Sequence, residues 1–257
     1  MQSGTDVNGH KQIGYVVPVE VCVESSGIAR VAESVRAALA GGASRIELCS
    51  DMSEDGLTPP TSHIEEARQV FGDRTGLVVM IRPRPGDFFY TPAEIGLMHR
   101  QVRMAGDAGA DGVALGILRK DRKIDVDTLY DLVRDAHEAG LRVTFHRAFD
   151  AVSDREEAVE ALVKAGVDRV LTSGLPYGSK GTLLDGLDTL ASTITWVDSR
   201  LEVVLSGGVN ASNVRKALAS LPIEGKPVSV HAYSGVRMEG RTDEAAVRKL
   251  VEAATPQ

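Results

Sequence analysis

Several short β-branched runs in this chain carry reactive side chains at alternate positions. In VEVCVE (19–24), Glu20, Cys22 and Glu24 fall on the face opposite Val19, Val21 and Val23. In RIELC (45–49), Arg45, Glu47 and Cys49 oppose Ile46 and Leu48. RVTFH (142–146) sets Arg142, Thr144 and His146 against Val143 and Phe145, and VSVH (228–231) sets Ser229 and His231 against Val228 and Val230. If the apolar face of each run packs on helices, then carboxylates, imidazoles and both thiols of the chain project into one space. Arg82 ends a third run, and Arg147 and Asp150 directly follow the fifth.

Two kinds of chemistry fit these residue types. Soft thiolates select Cu(I), and Cys22 and Cys49 lie one repeat unit apart on inward faces of neighbouring runs. The second is an enzyme of isomerase, lyase or hydrolase type acting on a small anionic or phosphorylated substrate. In that reading Glu20 and Glu47 supply a base and an acid whose pKa values burial and Arg82 separate. His146 or His231 shuttles a proton, and Arg82 and Arg147, beside Asp150, clamp an anion. Ser206-Gly207-Gly208, before a helix expected near Asn210, has the composition of a phosphate-binding turn, and Ser173-Gly174 is a weaker version. A harder divalent ion on Glu47, His146 and His231 is a further option. Each residue also has a plainer role: Glu20 with Arg45, or Glu47 with Arg82, as interior ion pairs that fix strand register, and the cysteines as core filling.

The elements that must position these groups repeat along the chain. Eight candidate strands, Val19–Val23, Arg45–Cys49, Leu77–Arg82, Gly112–Leu115, Arg142–His146, Arg169–Ser173, Glu202–Ser206 and Val228–His231, alternate with amphipathic segments. Ile28, Val31, Val35 and Leu39 form one helical stripe, and Leu129, Leu132, Val133 and Ala136 another. Glycines at 41–42, 109, 140 and 166 stand where such helices would end. AGGASRIEL, AGADGVAL, AGLRVTF and AGVDRVL are variants of one turn-and-strand unit. Eight βα units predict an α/β fold, a single (β/α)8 TIM-like barrel over residues 19–257, with residues 1–18 as a flexible N-terminal extension. An open doubly wound sheet is disfavoured because no GxGxxG follows the first strand. Barrel active sites lie at the C-terminal strand ends, where the reactive residues cluster. The composition of RPRPGDFFY (82–90) suits an ordered lid over that mouth and equally a rigid surface loop.

Composition narrows the partners. The 257 residues carry 29 Lys and Arg against 36 Asp and Glu, a net charge of −7, which gives no electrostatic case for nucleic acid or an anionic membrane. No apolar run reaches the roughly 18 residues of a membrane span, and no apolar leader segment predicts secretion. Two cysteines make no disulfide framework and point to a reducing, cytoplasmic setting. No motif indicates an organic cofactor.

The phrases VEVCVES (19–25), RIELCS (45–50), DGLTPP (55–60), MIRPRPGDFFY (80–90), GADGVALGIL (109–118), VTFHRAFD (143–150), RVLTSG (169–174) and SGGVNASN (206–213) resemble, in order, the CutC copper homeostasis protein family. The resemblance runs from residue 19 to about 235. It implies a TIM-like barrel, a cytoplasmic homo-oligomer and a role in copper handling through Cu(I). The family positions carried over are Glu20, Cys22, Glu47, Cys49, Arg82, Asp87, His146, Arg147, Asp150, Ser173, Gly174, Gly207, Gly208 and His231, with Cys22 and Cys49 as the implied metal ligands. VHAYSGVR (230–237) and the PGDF of the 82–90 segment depart from the family pattern, which bears on the shape of the mouth.

Overall fold

The computed structural model describes residues 16–255. Its strands are β1 (Val19–Glu24), β2 (Arg45–Cys49), β3 (Leu77–Met80), β4 (Gly112–Leu115), β5 (Arg142–Phe145), β6 (Arg169–Thr172), β7 (Glu202–Leu205) and β8 (Val228–Ala232). They pair in parallel in sequence order, and β8 pairs with β1 to close the barrel. The helices are α1 (Ile28–Ala40), α2 (Thr61–Phe71), α3 (Pro92–Asp107), α4 (Val126–Glu138), α5 (Arg155–Ala165), α6 (Leu187–Val197), α7 (Val214–Ala219) and α8 (Glu244–Ala254). The expected (β/α)8 barrel is therefore the fold. Among the described residues no helix is long and apolar enough to cross a membrane.

Strand alternation divides the core in two. Val19, Val21, Val23, Ile46, Leu48, Val143, Phe145, Val228 and Val230 belong to the large apolar layer between strands and helices. Cys22, Cys49, Val78, Met80 and Ala114 form a separate cluster inside the barrel. Several strands end one or two residues before the expected polar terminus. His146 and Ser206 still donate to Leu115 and Thr172 of the neighbouring strands, at 2.8 and 2.9 Å, before the chain turns into the mouth.

Of the stretch 1–18, residues 1–15 lie outside the described residues. Val17 is buried, and the Pro18 carbonyl accepts from the Val230 amide at 3.0 Å, so the end of that stretch packs on the barrel.

The RPRPGDFFY segment is held at both ends. Arg84 bonds the Glu94 carboxylate at 2.7 Å, and Glu94 also completes a capping box with Thr91 at the start of α3, behind Pro92. Phe88 is buried under this segment, with ring centroids 5.2 Å from His146 and 5.0 Å from Tyr177.

Candidate metal and ligand site at the barrel mouth

The inward polar residues sort into two levels. At the lower level, Arg45 Nε donates to Glu20 at 3.1 Å, its Nη2 donates to Glu202 at 2.5 Å, and Arg169 reaches Glu20 at 3.4 Å. Ser229 joins by donating to Glu202 and accepting from Arg45. This closed ionic layer stands where most barrels stack branched apolar side chains. Glu20, expected as a catalytic acid or base, is thus committed to two arginines. The plainer role as an interior ion pair is the one the geometry gives it.

Above that layer is a cavity of about 360 Å³ at the C-terminal strand ends. It is lined by ten of the expected residues: Cys22, Glu47, Cys49, Arg82, His146, Arg147, Ser206, Gly207, Gly208 and His231. Strand register explains one corner. Cys22 stands opposite Glu47 on β2, and Glu20 opposite His231 on β8, so side chains far apart in sequence interleave. His231 Nε2 lies 2.7 Å from Glu47 Oε2, and both residues are largely buried. Burial disfavours either charge, yet the pairing overrides it. The imidazolium holds Glu47 below the ordinary carboxylate range, and the carboxylate raises His231 well above the ordinary histidine value.

Beside this pair lie three sulfur atoms. Cys22 Sγ is 3.7 Å from Cys49 Sγ and 3.8 Å from Met52 Sδ. Hydrogen bonding with Cys49, aided by His231 and opposed by burial, lowers the Cys22 pKa; the same contact and burial raise that of Cys49 well above the ordinary thiol. One oxygen of Glu47 and both thiols come within 4.8 Å of one another. Met52 sits on a short turn after β2 and was not singled out from sequence. A lone thioether in the polar run DMSEDG was the available signal.

The opposite wall is built differently. His146 is buried, and its Nδ1 accepts from the Ala148 amide at 3.1 Å. Burial, with Arg82 and Arg147 nearby, lowers its pKa to about 3, so the ring is neutral and Nε2 carries the proton. Gly116 makes room for the ring, since a Cβ there would lie 2.5 Å from His146 Cε1. Arg147 is oriented by Asp150 at 2.9 Å and Ser173 at 3.2 Å.

Other expected residues stand behind the site instead of in it. Asp150 accepts from Thr172 Oγ1, Ser173 N, Ser173 Oγ and Arg147 Nε, which saturates its buried carboxylate. Ser173 and Gly174 are folded into that network, with the Gly174 amide donating to Thr172 Oγ1. Asp87 is exposed and pairs with Arg84 within the 82–90 segment. The Glu47–Arg82 pair weighed from sequence does not form. Strand β3 stops at Met80, so Arg82 reaches into the loops and donates to the carbonyls of Glu54, Gly56 and Gly86. The helix expected near Asn210 begins at Val214 and has six residues, so its dipole is no basis for anion binding. The carboxylate–imidazole group that forms comprises Glu20, Glu47 and His231, with His146 outside it.

Comparison with known proteins fits this barrel and its motifs. A protein of Vibrio cholerae (strain ATCC 39541) named as a family protein CutC is 41% identical over 203 residues, covering 79% of this chain and 75% of its own length. A protein of the same name from Agrobacterium fabrum is 38% identical over 245 residues, covering 90% and 92%. A solved structure from Streptococcus agalactiae, bearing the name copper homeostasis protein CutC, superposes with a TM-score of 0.71 at 27% identity, covering 84% of this chain and 98% of that one. The family model for CutC spans residues 17–226, from the chain just before β1 through β7. On this span and these identities, the chain belongs to the CutC family.

Proposed function

We propose that the protein binds Cu(I) as cargo at the sulfur corner of the mouth cavity. The observation that carries this reading is the set of two buried thiols and a partly buried thioether. Such soft donors suit monovalent copper, whereas carboxylate and carbonyl oxygens suit harder ions. The copper homeostasis name carried by the Streptococcus agalactiae relative supports the same direction. Binding through thiolates releases protons. Cys22, with its lowered pKa, is the first ligand available, and Cys49 gives up its proton only as the metal arrives. The affinity therefore rises with pH. The reading also carries a cytoplasmic location, where two unbridged thiols persist, and a homo-oligomeric assembly.

A Cu(I) titration against a competing chelator tests it. One ion per chain is expected, with binding abolished in the Cys22→Ser, Cys49→Ser double variant and weakened roughly tenfold, about 1.4 kcal/mol, in Met52→Leu. Stoichiometric binding retained by the folded double variant would sink the proposal.

A further inference from the structure

The wall of the cavity facing away from the sulfurs presents hydrogen-bond donors that no described residue satisfies. His146 Nε2 and Ser206 Oγ are buried without a partner, although their residues are only 3% and 2% exposed. With its Nδ1 taken by Ala148, His146 offers Nε2–H as a donor only. Beside them run two successive left-handed glycines, Gly207 at φ +94° and Gly208 at φ +64°. Their amides have no acceptor among the described residues. Their carbonyls are tied back from outside, Gly207 by the Leu183 amide at 2.8 Å, Gly208 by Asn210 and Asn213 at 3.0 and 2.9 Å. The loop is thereby fixed with its amides free, the arrangement of an anion-binding backbone concavity. A side chain at Gly207 would meet Ser173 Cβ at 2.8 Å, which keeps the backbone bare at this point. Arg147 adds positive charge, with Nε and Nη2 spent on Asp150 and Ser173.

One unpartnered acceptor completes the set. Glu47 Oε1 is buried on the same cavity, while its other oxygen holds His231. A bare anion satisfies the donors but faces this carboxylate oxygen with nothing to give it. A neutral polyol satisfies Glu47 and brings no anionic oxygen to the Gly207 and Gly208 amides. Each buried group left unmatched keeps its desolvation penalty without a compensating hydrogen bond.

We propose that the cavity binds a small hydroxylated oxyanion, a phosphate monoester or carboxylate of a few carbons. Its anionic group sits against Gly207, Gly208, Ser206 and Arg147. An oxygen accepts from His146 Nε2–H, and a hydroxyl donates to Glu47 Oε1. None of the sulfur atoms takes part, although Glu47 also borders the two thiols.

Titration with glycerol 3-phosphate, glycerate, inorganic phosphate and glycerol, followed by the amide resonances of Gly207 and Gly208 and the imidazole nitrogens of His146, tests this. Saturable shifts are expected with at least one of the two hydroxylated anions, at higher affinity than inorganic phosphate, and none with glycerol. The tighter of the two arms identifies the anionic group. Ser206→Ala and Arg147→Gln should each weaken binding about tenfold, the value of one hydrogen bond to a charged group, with thermal midpoints close to wild type for Ser206→Ala. The Cys22→Ser, Cys49→Ser variant should bind as wild type does. Shifts that fail to saturate for both hydroxylated anions, or Ser206→Ala binding them with wild-type affinity, overturns the proposal.

Discussion

The Glu47–His231 pair offers the most quantitative handle on the site, because its two halves respond differently to removal. Its atoms are 2.7 Å apart, with side-chain exposures of 3% and 12%, so water does little to screen a charge left behind. His231→Asn removes the cation and strands a buried carboxylate, with the Cys49 thiol and the more distant Arg169 still favouring its charge. Breaking a buried pair in this way costs about 3–5 kcal/mol. Glu47→Gln keeps an acceptor for Nε2–H while the imidazole becomes neutral. The loss is then the difference between a charged and a neutral hydrogen bond, about 1–2 kcal/mol. For a chain of this size each kcal/mol moves Tm by about 2–4 °C, so His231→Asn should fall by roughly 10 °C and Glu47→Gln by roughly 4 °C at pH 7.5.

The pH dependence carries a definite sign. In the wild type, Glu47 has a lowered pKa, so its contribution is present above the ordinary carboxylate value and is lost as pH falls through its folded value. His231 has a raised pKa, so its contribution is full below the ordinary histidine value and is lost as pH rises through its folded value. In His231→Asn, burial drives Glu47 above the ordinary range, and the penalty vanishes as the carboxyl protonates. The gap between wild type and His231→Asn should therefore be wide at pH 7.5 and narrow markedly by pH 5. Thermal unfolding of both variants across that range is the assay. A gap that stays constant with pH, or equal losses in the two variants, would refute the reasoning that the imidazolium is what keeps Glu47 ionised.

Other outcomes follow from the same geometry. His146, lowered to about 3, should keep a neutral imidazole nitrogen spectrum with the proton on Nε2 from pH 8 down to pH 4. Because the unfolded chain takes up that proton near pH 6.5, His146 adds a loss of up to about 1.4 kcal/mol per pH unit as pH drops below it, and His146→Asn should remove this component. Gly116→Ala, with its Cβ pressed against His146 and Ala148, should cost about 1–3 kcal/mol and break the Nδ1 contact, visible in the same spectrum. Glu20→Ala should destabilise by about 3–5 kcal/mol by stranding Arg169, while Arg45 keeps its pair with Glu202. Cu(I) affinity should survive that change in the protein that remains folded, and its loss would place Glu20 in the site.

Much of the barrel was legible because strand alternation and helix-ending glycines are local signals. VEVCVE and RIELC announced both their outward aliphatic residues and their inward acids and thiols. What alternation cannot give is height along the barrel axis. Glu20 and Glu47 look equivalent in sequence, yet register sets one among arginines and the other at the cavity. Residues just beyond strand ends were hardest to place. Arg82 and Asp150 both follow strands, but loop carbonyls absorb the first and the β6 turn absorbs the second. Met52 and Gly116 carry no pattern of their own. Their roles come from long-range packing, against Cys22 in one case and His146 in the other.

The most direct test of the proposed copper site is X-ray absorption at the copper edge of protein loaded with one equivalent of Cu(I). With Cys22, Cys49 and Met52 as the ligand set, the first shell should contain sulfur alone, and one sulfur scatterer should disappear in Met52→Leu. A first shell of nitrogen or oxygen atoms, unchanged in the Cys22→Ser, Cys49→Ser variant, would contradict it.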